Sequence, residues 1–144
     1  MSASVPPSIA PKRILYTMLR VSDLDRSIAF YHNMLGMSEL GRETFPDAEF
    51  TAVFMGYGNR KTDAVIEITY NWDKRSYEHG TAYGNLSLAV DDVYALTAYL
   101  EENGVKVLRP AGEVPMVSTE TGEKHTLAFI ADPDGYRIEL MQTA

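Results

Sequence analysis

The chain has 144 residues and a formal net charge of −7, with 45% hydrophobic and 23% charged residues. These proportions are typical of a folded globular protein and exclude a disordered chain. The negative charge, without a cluster of Lys and Arg, disfavours nonspecific binding to nucleic acid or to anionic membranes. Because the sequence has no cysteine, disulfides, thiol nucleophiles and thiolate metal sites are excluded.

Residues 1–12 contain three prolines among small and polar residues and are predicted to form a flexible tail. This segment has no apolar run of signal-peptide length, and no later run reaches the roughly 20 apolar residues that a membrane-spanning helix needs. The sequence therefore predicts a cytoplasmic protein without membrane partners.

After the tail, the first half of the chain predicts one strand, one helix and three further strands. The first strand runs from Arg13 to Val21, and the helix is capped by Asp23 and ends at Gly36. Gly, Pro, Asp and Asn separate the three strands that follow, which are predicted at 37–43, 50–55 and 65–70.

The second half repeats this order. A strand at 84–90 precedes a helix that is capped by Asp91 or Asp92 and ends before Gly104. Further strands are predicted at 105–108, 113–117, 126–130 and 136–141. Equivalent positions lie 68 to 72 residues apart along the two halves, as in Gly36 and Gly104 or Glu67 and Glu139. The repeat predicts an α+β fold of paired βαβββ modules, with module one at 13–72 and module two at 83–144 of a single domain spanning 13–144.

Each half carries one glutamate inside an apolar strand: Glu67 lies between two isoleucines, and Glu139 lies in the segment DPDGYRIEL. Alternate side chains of a strand face opposite ways, so each glutamate points away from its apolar neighbours. Tyr16 and Asn85, 69 residues apart, occupy equivalent positions on the first strands. If the sheets face each other, these four side chains meet in one cleft and can bind a metal or a substrate. The alternative is that Tyr16 and Asn85 are ordinary polar residues of half-exposed strands.

Four segments resemble the blocks of glyoxalase I, the lactoylglutathione lyase of the vicinal oxygen chelate superfamily: TMLRVSDLDRSIAFYHNMLGM, AVIEITYNW, GTAYG and LAFIADPDGYRIEL. The resemblance implies paired βαβββ modules in a homodimer whose clefts lie between subunits. It also implies lyase or isomerase activity on a glutathione thiohemiacetal or a related small oxygenated molecule.

The resemblance further implies a metal site, since the four equivalent positions in glyoxalase I hold His, Glu, His and Glu around Ni or Zn. This chain has Tyr16, Glu67, Asn85 and Glu139 there, so both histidines are replaced. Oxygen donors alone favour Mg or Mn over Ni or Zn. We therefore expect either a divalent metal at an oxygen-rich site or none. The three histidines of the chain, at 32, 79 and 125, are expected in solvated or packing roles.

Roles for individual residues follow from the same resemblance. Glu139 matches the catalytic carboxylate and is expected to be the base. Apart from the resemblance, the Tyr16 hydroxyl can donate a hydrogen bond to a developing enolate oxygen. Glu67 is expected to balance the charge of a metal or, without one, to hold a proton. Arg20 and Asn71 match residues that hold the glutamyl end of glutathione, and Asn85 is expected to bind the substrate. The alternative for Arg20 and Asn71 is a surface arginine and a turn-forming asparagine.

Two functions remain open at this point. One is a glyoxalase I-like enzyme in which a carboxylate transfers the proton at an altered or absent metal site. The other is a non-catalytic protein of the same superfamily that binds a small molecule. The replacement of both histidines favours this alternative. In either case, the expected homodimer combines Tyr16 and Glu67 of one chain with Asn85 and Glu139 of the other.

Overall fold

The computed structural model describes residues 3–143. It contains two four-stranded mixed sheets, each built from one half of the chain. The first half contains one short helix that continues into a π-helical turn, one 3-10 turn and four strands. In chain order these elements are β1 Tyr16–Arg20, α1 Leu24–Ala29, the π-helical turn Phe30–Met34, β2 Ser38–Phe45, the 3-10 turn Pro46–Ala48, β3 Phe50–Gly56 and β4 Val65–Asn71.

The helix of the first module begins where the sequence predicts. The Asp23 carboxylate accepts a hydrogen bond from the Arg26 amide, which satisfies a backbone donor that the first turn leaves free. The helical segment ends at Gly36, whose φ of 71° lies in the left-handed region that glycine adopts without strain. The predicted single helix is thus an α-helix followed by a π-helical turn.

The second half contains β5 Leu86–Val90, α2 Val93–Glu102, β6 Val107–Glu113, β7 Thr126–Ala131 and β8 Arg137–Gln142. Asp92, one of the two predicted caps, accepts a hydrogen bond from the Ala95 amide. The prediction of two separate strands at 105–108 and 113–117 was wrong, because one strand, β6, replaces them. β6 is an edge strand, and Pro110 lies where its pairing with β7 is irregular. Pro115 has no amide hydrogen, so the strand cannot continue through it.

The two sheets have the same strand order, β1-β4-β3-β2 in the first and β5-β8-β7-β6 in the second. In each sheet the first strand pairs in parallel with the last, and the other pairs are antiparallel. The predicted α+β fold of two βαβββ modules is confirmed. In both sheets the glutamate lies on the inner strand that pairs with the module's first strand.

One hydrophobic core joins the modules. It includes Ile66 and Ile68 from β4 together with Ile138 and Leu140 from β8. Since side chains alternate along a strand, Glu67 and Glu139 lie on the opposite faces of their sheets, turned away from this common core. The core therefore fixes the direction in which both carboxylates point.

Hydrogen bonds between buried groups also connect the modules. The hydroxyl of Tyr31, which is fully buried, donates to Asp132 Oδ2 at 2.7 Å. The Tyr136 hydroxyl donates to the backbone oxygen of Arg20, also at 2.7 Å. The turn that begins DPDGY therefore contacts both the helical segment and the end of β1 in the first module.

Residues 3–12 of the predicted tail include a turn in which Ile9 and Ala10 donate to the carbonyl of Pro6. Residues 1 and 2 of that tail and residue 144 of module two lie outside the described part of the chain. Within residues 3–143, no helix combines the length and the apolar character that crossing a membrane requires.

Candidate active site

On the first sheet, Tyr16, Phe54 and Glu67 share one face. Phe54 lies directly opposite Glu67 in the ladder between β3 and β4, while Tyr16 pairs with Val65, two residues before Glu67. Paired residues of neighbouring strands point to the same side of a sheet. The rings of Tyr16 and Phe54 meet edge to face with their centroids 5.2 Å apart. Tyr16 remains 42% exposed, so its side chain is accessible to a ligand.

Glu67 is half-buried on this face, and its burial raises the pKa of its carboxyl above the ordinary value. The nearby Thr69 hydroxyl and the Arg60 guanidinium act against the rise, and Glu43 adds to it. Thr69 Oγ1 is itself buried and makes no hydrogen bond of normal geometry with the described residues. A carboxyl with a raised pKa keeps its proton to a higher pH.

The corresponding face of the second sheet carries a chain of hydrogen bonds. Asn85 Nδ2 donates to Ser87 Oγ at 2.9 Å, and Ser87 Oγ donates to Glu139 Oε1 at 2.7 Å. Ser87 is also the ladder partner of Glu139, while Phe129 pairs with Glu139 from the other side, as Phe54 does with Glu67. The hydrogen bond from Ser87, which Asn85 in turn holds in place, therefore orients the Glu139 carboxylate.

Ser87 is a site residue that sequence reasoning missed. The only signal was its position two residues after Asn85, on the same side of the strand and opposite a predicted functional glutamate. A small residue on a mostly apolar strand does not stand out by its type. The equivalent position in the first module is Met18, which pairs with Glu67 and cannot donate a hydrogen bond.

Within one polypeptide chain, the two halves of the predicted site are not joined. Among the described residues, no hydrogen bond connects Tyr16 or Glu67 with Asn85 or Glu139. The charged groups that act on Glu67 are Glu43 and Arg60, both from its own module. Each module of one chain thus presents half of the predicted set on a separate face.

Arg20 and Asn71 lie at the other end of the face that carries Glu67. Arg20 is exposed and pairs with Thr69, two residues before Asn71 at the end of β4. The Asn71 amide donates to the Tyr77 hydroxyl at 3.1 Å. The structure places both residues on the same face as Tyr16 and Glu67, while their role in binding a substrate stays a prediction.

The histidines lie apart from this face. His32 Nδ1 is 2.7 Å from the backbone oxygen of Met37, and His79 stacks on the Tyr136 ring with centroids 4.2 Å apart. His125 is exposed. Within residues 3–143, no three His, Cys, Asp or Glu side chains come close enough together to hold a metal ion.

The donors at the four predicted ligand positions do not fit a Ni or Zn site. Nitrogen from imidazole is missing at all four, and the Asn85 amide and the Glu139 carboxylate are already joined through Ser87. Neutral amide and phenol groups are weak ligands beside imidazole or thiolate. The oxygen donors leave Mg or Mn as the metals that such a set would prefer.

Comparison with known proteins shows the family to which the chain belongs. The family model described as Glyoxalase/Bleomycin resistance protein/Dioxygenase superfamily matches residues 13–140. The chain belongs to this superfamily. It is 47% identical to the lactoylglutathione lyase of Haemophilus influenzae, over 90% of this chain and 92% of that protein. It is 48% identical to a probable lactoylglutathione lyase of Vibrio parahaemolyticus, over 90% of both chains.

Structural comparison agrees with this membership of the superfamily. The crystal structure of glyoxalase I from Zea mays matches with a TM-score of 0.83 and 39% identity. The match covers 92% of this chain but 45% of the maize chain, so the chain spans less than half the length of that relative. The predicted resemblance to glyoxalase I is confirmed, and with it the assignment to a family of lyase or isomerase enzymes.

Proposed function

We propose that the protein is a glyoxalase I-like isomerase or lyase that acts on a glutathione thiohemiacetal or a related small oxygenated molecule. The observation that carries the proposal is the placement of Glu67 and Glu139 at equivalent positions of two equivalent sheets, with Ser87 donating a hydrogen bond to Glu139. Relatives at 44% to 48% identity that are named lactoylglutathione lyase or probable lactoylglutathione lyase support the reaction class.

The proposed chemistry is a proton transfer between neighbouring carbons. Glu139 takes the proton from the hydroxyl-bearing carbon next to the carbonyl, the electrons of the C–H bond form an enediolate, and the proton returns to the former carbonyl carbon. The hydroxyl proton of the first carbon passes to the former carbonyl oxygen, so the first carbon becomes the new carbonyl. Tyr16 O–H stabilises the developing oxygen charge together with the free donor of Asn85, in the manner of metal-free enolisation. Glu67 holds a proton when it shares a cleft with Glu139, because two nearby carboxylates cannot both ionise at low cost, and its carboxyl can then donate a hydrogen bond to the substrate.

The proposed site is completed by a second copy of the chain. Because both carboxylates point away from the common core of one chain, a cleft that contains the two of them requires a partner. We therefore propose a cytoplasmic homodimer with two equal clefts, each formed by Tyr16 and Glu67 of one chain and Asn85 and Glu139 of the other. Arg20 and Asn71 are proposed to hold the glutamyl end of glutathione.

Rate measurements on single variants test this mechanism. Tyr16→Phe removes one preorganised donor and should lower the rate of lactoylglutathione formation about 10²- to 10³-fold, the usual cost of such a loss. Glu139→Gln should remove nearly all turnover, and a chelator should have no effect. Tyr99→Phe on the exposed side of α2 is the matched control and should react at the wild-type rate. Wild-type turnover by Tyr16→Phe, or loss of activity on chelation, would contradict the metal-free mechanism.

A binding protein without catalysis is the second candidate, and the replacement of both family histidines by Tyr16 and Asn85 favours it. The same assay separates the two functions when Ni, Co, Zn, Mn and Mg are added in turn. Turnover that appears only with Mg or Mn would assign a metal to the oxygen donors. The absence of turnover under all conditions, together with tight binding of the glutathione adduct, would establish the binding function.

A further inference from the structure

The guanidinium of Arg60 lies on the face that carries Glu67. Its Cζ is 3.7 Å from the centroid of the Phe54 ring, and Phe54 is the ladder partner of Glu67. On the other side of Phe54, the guanidinium occupies the space above Gly41, where a Cβ atom would collide with Arg60 Nη1. A residue of the loop between β3 and β4 thus places its charge between the edge strand and the candidate catalytic groups.

The backbone around Arg60 is held by local hydrogen bonds. Asn59 donates its amide hydrogen to Asp63 Oδ2 at 2.7 Å, and the Asn59 side chain accepts from the Lys61 amide at 2.8 Å. Arg13 Nη2 donates to the carbonyl of Arg60 at 3.2 Å. These contacts fix the loop in the conformation that directs Arg60 over the sheet, so the cation is in place before a ligand arrives.

A cavity of about 630 Å³ lies beside this cation, at the end of the sheet where β1 and β4 begin. Arg13, Arg60 and Lys61 bring three positive charges to its wall, while Leu15 and Leu40 contribute apolar surface. Tyr16 also lines it, so the cavity is continuous with the candidate active site. Such a concentration of positive charge is unusual in a chain whose net charge is −7.

Two carboxylates of its own module, Glu43 and Glu67, act on the positive charge of Arg60, and Glu67 does not come within ion-pair distance of it. The nearest acid is Glu43, with Oε1 3.7 Å from Arg60 Nη2, and both side chains are more than one-third exposed. Exposed ion pairs at such a distance contribute little, so a ligand carboxylate can replace Glu43 at low cost. A guanidinium can bind a carboxylate through two parallel hydrogen bonds.

We infer that this cavity binds the carboxylate of a small molecule with an apolar body, and that Arg60 makes the principal contact. The inference rests on the proposed function only in treating Tyr16 and Glu67 as part of a ligand cleft. The inference concerns the end of the cleft that lies opposite Arg20 and Asn71, and it assigns the binding of a carboxylate to that end.

Calorimetry with an unreactive probe tests the inference without requiring turnover. Hexanoate should bind to the wild type more tightly than hexanamide or inorganic phosphate at equal ionic strength, because only hexanoate offers both a carboxylate and an apolar tail. Arg60→Met should weaken hexanoate binding about tenfold or more. Arg42→Met is the matched control, because it removes the same charge from the opposite face of β2 and should leave the affinity unchanged.

A second variant moves Arg60 without removing its charge. Gly41→Ala places a methyl group where the guanidinium now lies, and it should weaken hexanoate binding while the loop and its hydrogen bonds stay intact. Equal affinity of wild type and Arg60→Met for hexanoate would overturn the inference, as would equal binding of hexanamide or phosphate. Hexanoate binding that is lost in Arg60→Met, in a protein that shows no lyase activity, would uphold the site and refute only the proposed reaction.

Discussion

Tyr31→Phe removes the hydroxyl that links the helical segment of module one to Asp132 and leaves the ring in place. Tyr31 is fully buried and Asp132 is 5% exposed, so water cannot easily replace the lost donor. Asp132 Oδ1 keeps the amide hydrogens of Asp134 and Tyr136, at 2.9 and 2.8 Å, whereas Oδ2 loses the Tyr31 hydroxyl. A hydrogen bond to a charged group contributes about 1.5–3 kcal/mol, and we expect the free energy of unfolding to fall by about that amount.

The loss should depend on pH in a defined direction. Burial raises the pKa of Asp132 above its ordinary value, and the Tyr31 hydrogen bond works against that rise. Without the hydroxyl, the pKa in the folded state rises further, and the ionised carboxylate costs more folding free energy at neutral pH. A raised folded pKa means that stability is highest below the unfolded pKa and is lost as the pH rises through the folded pKa. The defect of Tyr31→Phe should therefore be largest at pH 7 and smaller at acid pH.

Urea unfolding at pH 7 and at pH 5 measures both expectations, with an unchanged m-value as the sign that only stability has altered. The melting temperature should fall by roughly 3–12 °C at pH 7, since about 2–4 °C corresponds to each kcal/mol in a chain of this size. Tyr57→Phe is the control, because its half-exposed hydroxyl donates to the neutral carbonyl of Leu35 and its removal should cost less at either pH. A pH-independent loss, or a loss no larger than that of Tyr57→Phe, would refute the reasoning.

Two further experiments address the composition of the cleft. The double variant Tyr16→His, Asn85→His restores nitrogen donors and should bind Ni or Zn far more tightly than the wild type in calorimetry, because imidazole suits these metals better than phenol or amide; equal affinity would mean that the four positions do not form one site. Mixing inactive Glu67→Gln and Glu139→Gln chains should restore about a quarter of wild-type activity, since half of the dimers are mixed and each then has one intact cleft. No recovery after exchange of subunits would place each complete site within a single chain.

Local sequence signals predicted the fold well. Asp23 and Asp92 are capping residues by type and position, and Gly36 and Gly104 mark the helix ends because both need a positive φ. The repeat then predicted two equivalent sheets. The strand expected at 113–117 failed because apolar composition alone does not show where ladder pairing stops, and that limit was set by Pro115.

The site was predictable in part. Glu67 and Glu139 stand out because an acid within an apolar strand has no structural reason to be there. Ser87 and Arg60 could not be found in this way. The hydrogen bond of Ser87 depends on the pairing of β5 with β8, and the position of Arg60 depends on the absence of a side chain at Gly41, a residue 19 positions earlier in the chain.

The row of cross-strand side chains through Glu67 and the equivalent row through Glu139 end in different residues, and such differences between the two sheets affect the stereochemistry of the proposed reaction. In the first sheet the row through Glu67 and Phe54 ends at a glycine, over which Arg60 lies. The equivalent row through Glu139 ends at Arg109, whose guanidinium is bonded to backbone carbonyls of its own sheet. The two walls of the proposed cleft are thus equivalent in backbone and different in chemistry. In the proposed cleft only the wall that carries Glu139 supplies the base, so the proton should return to one face of the planar enediolate and the product should be a single enantiomer.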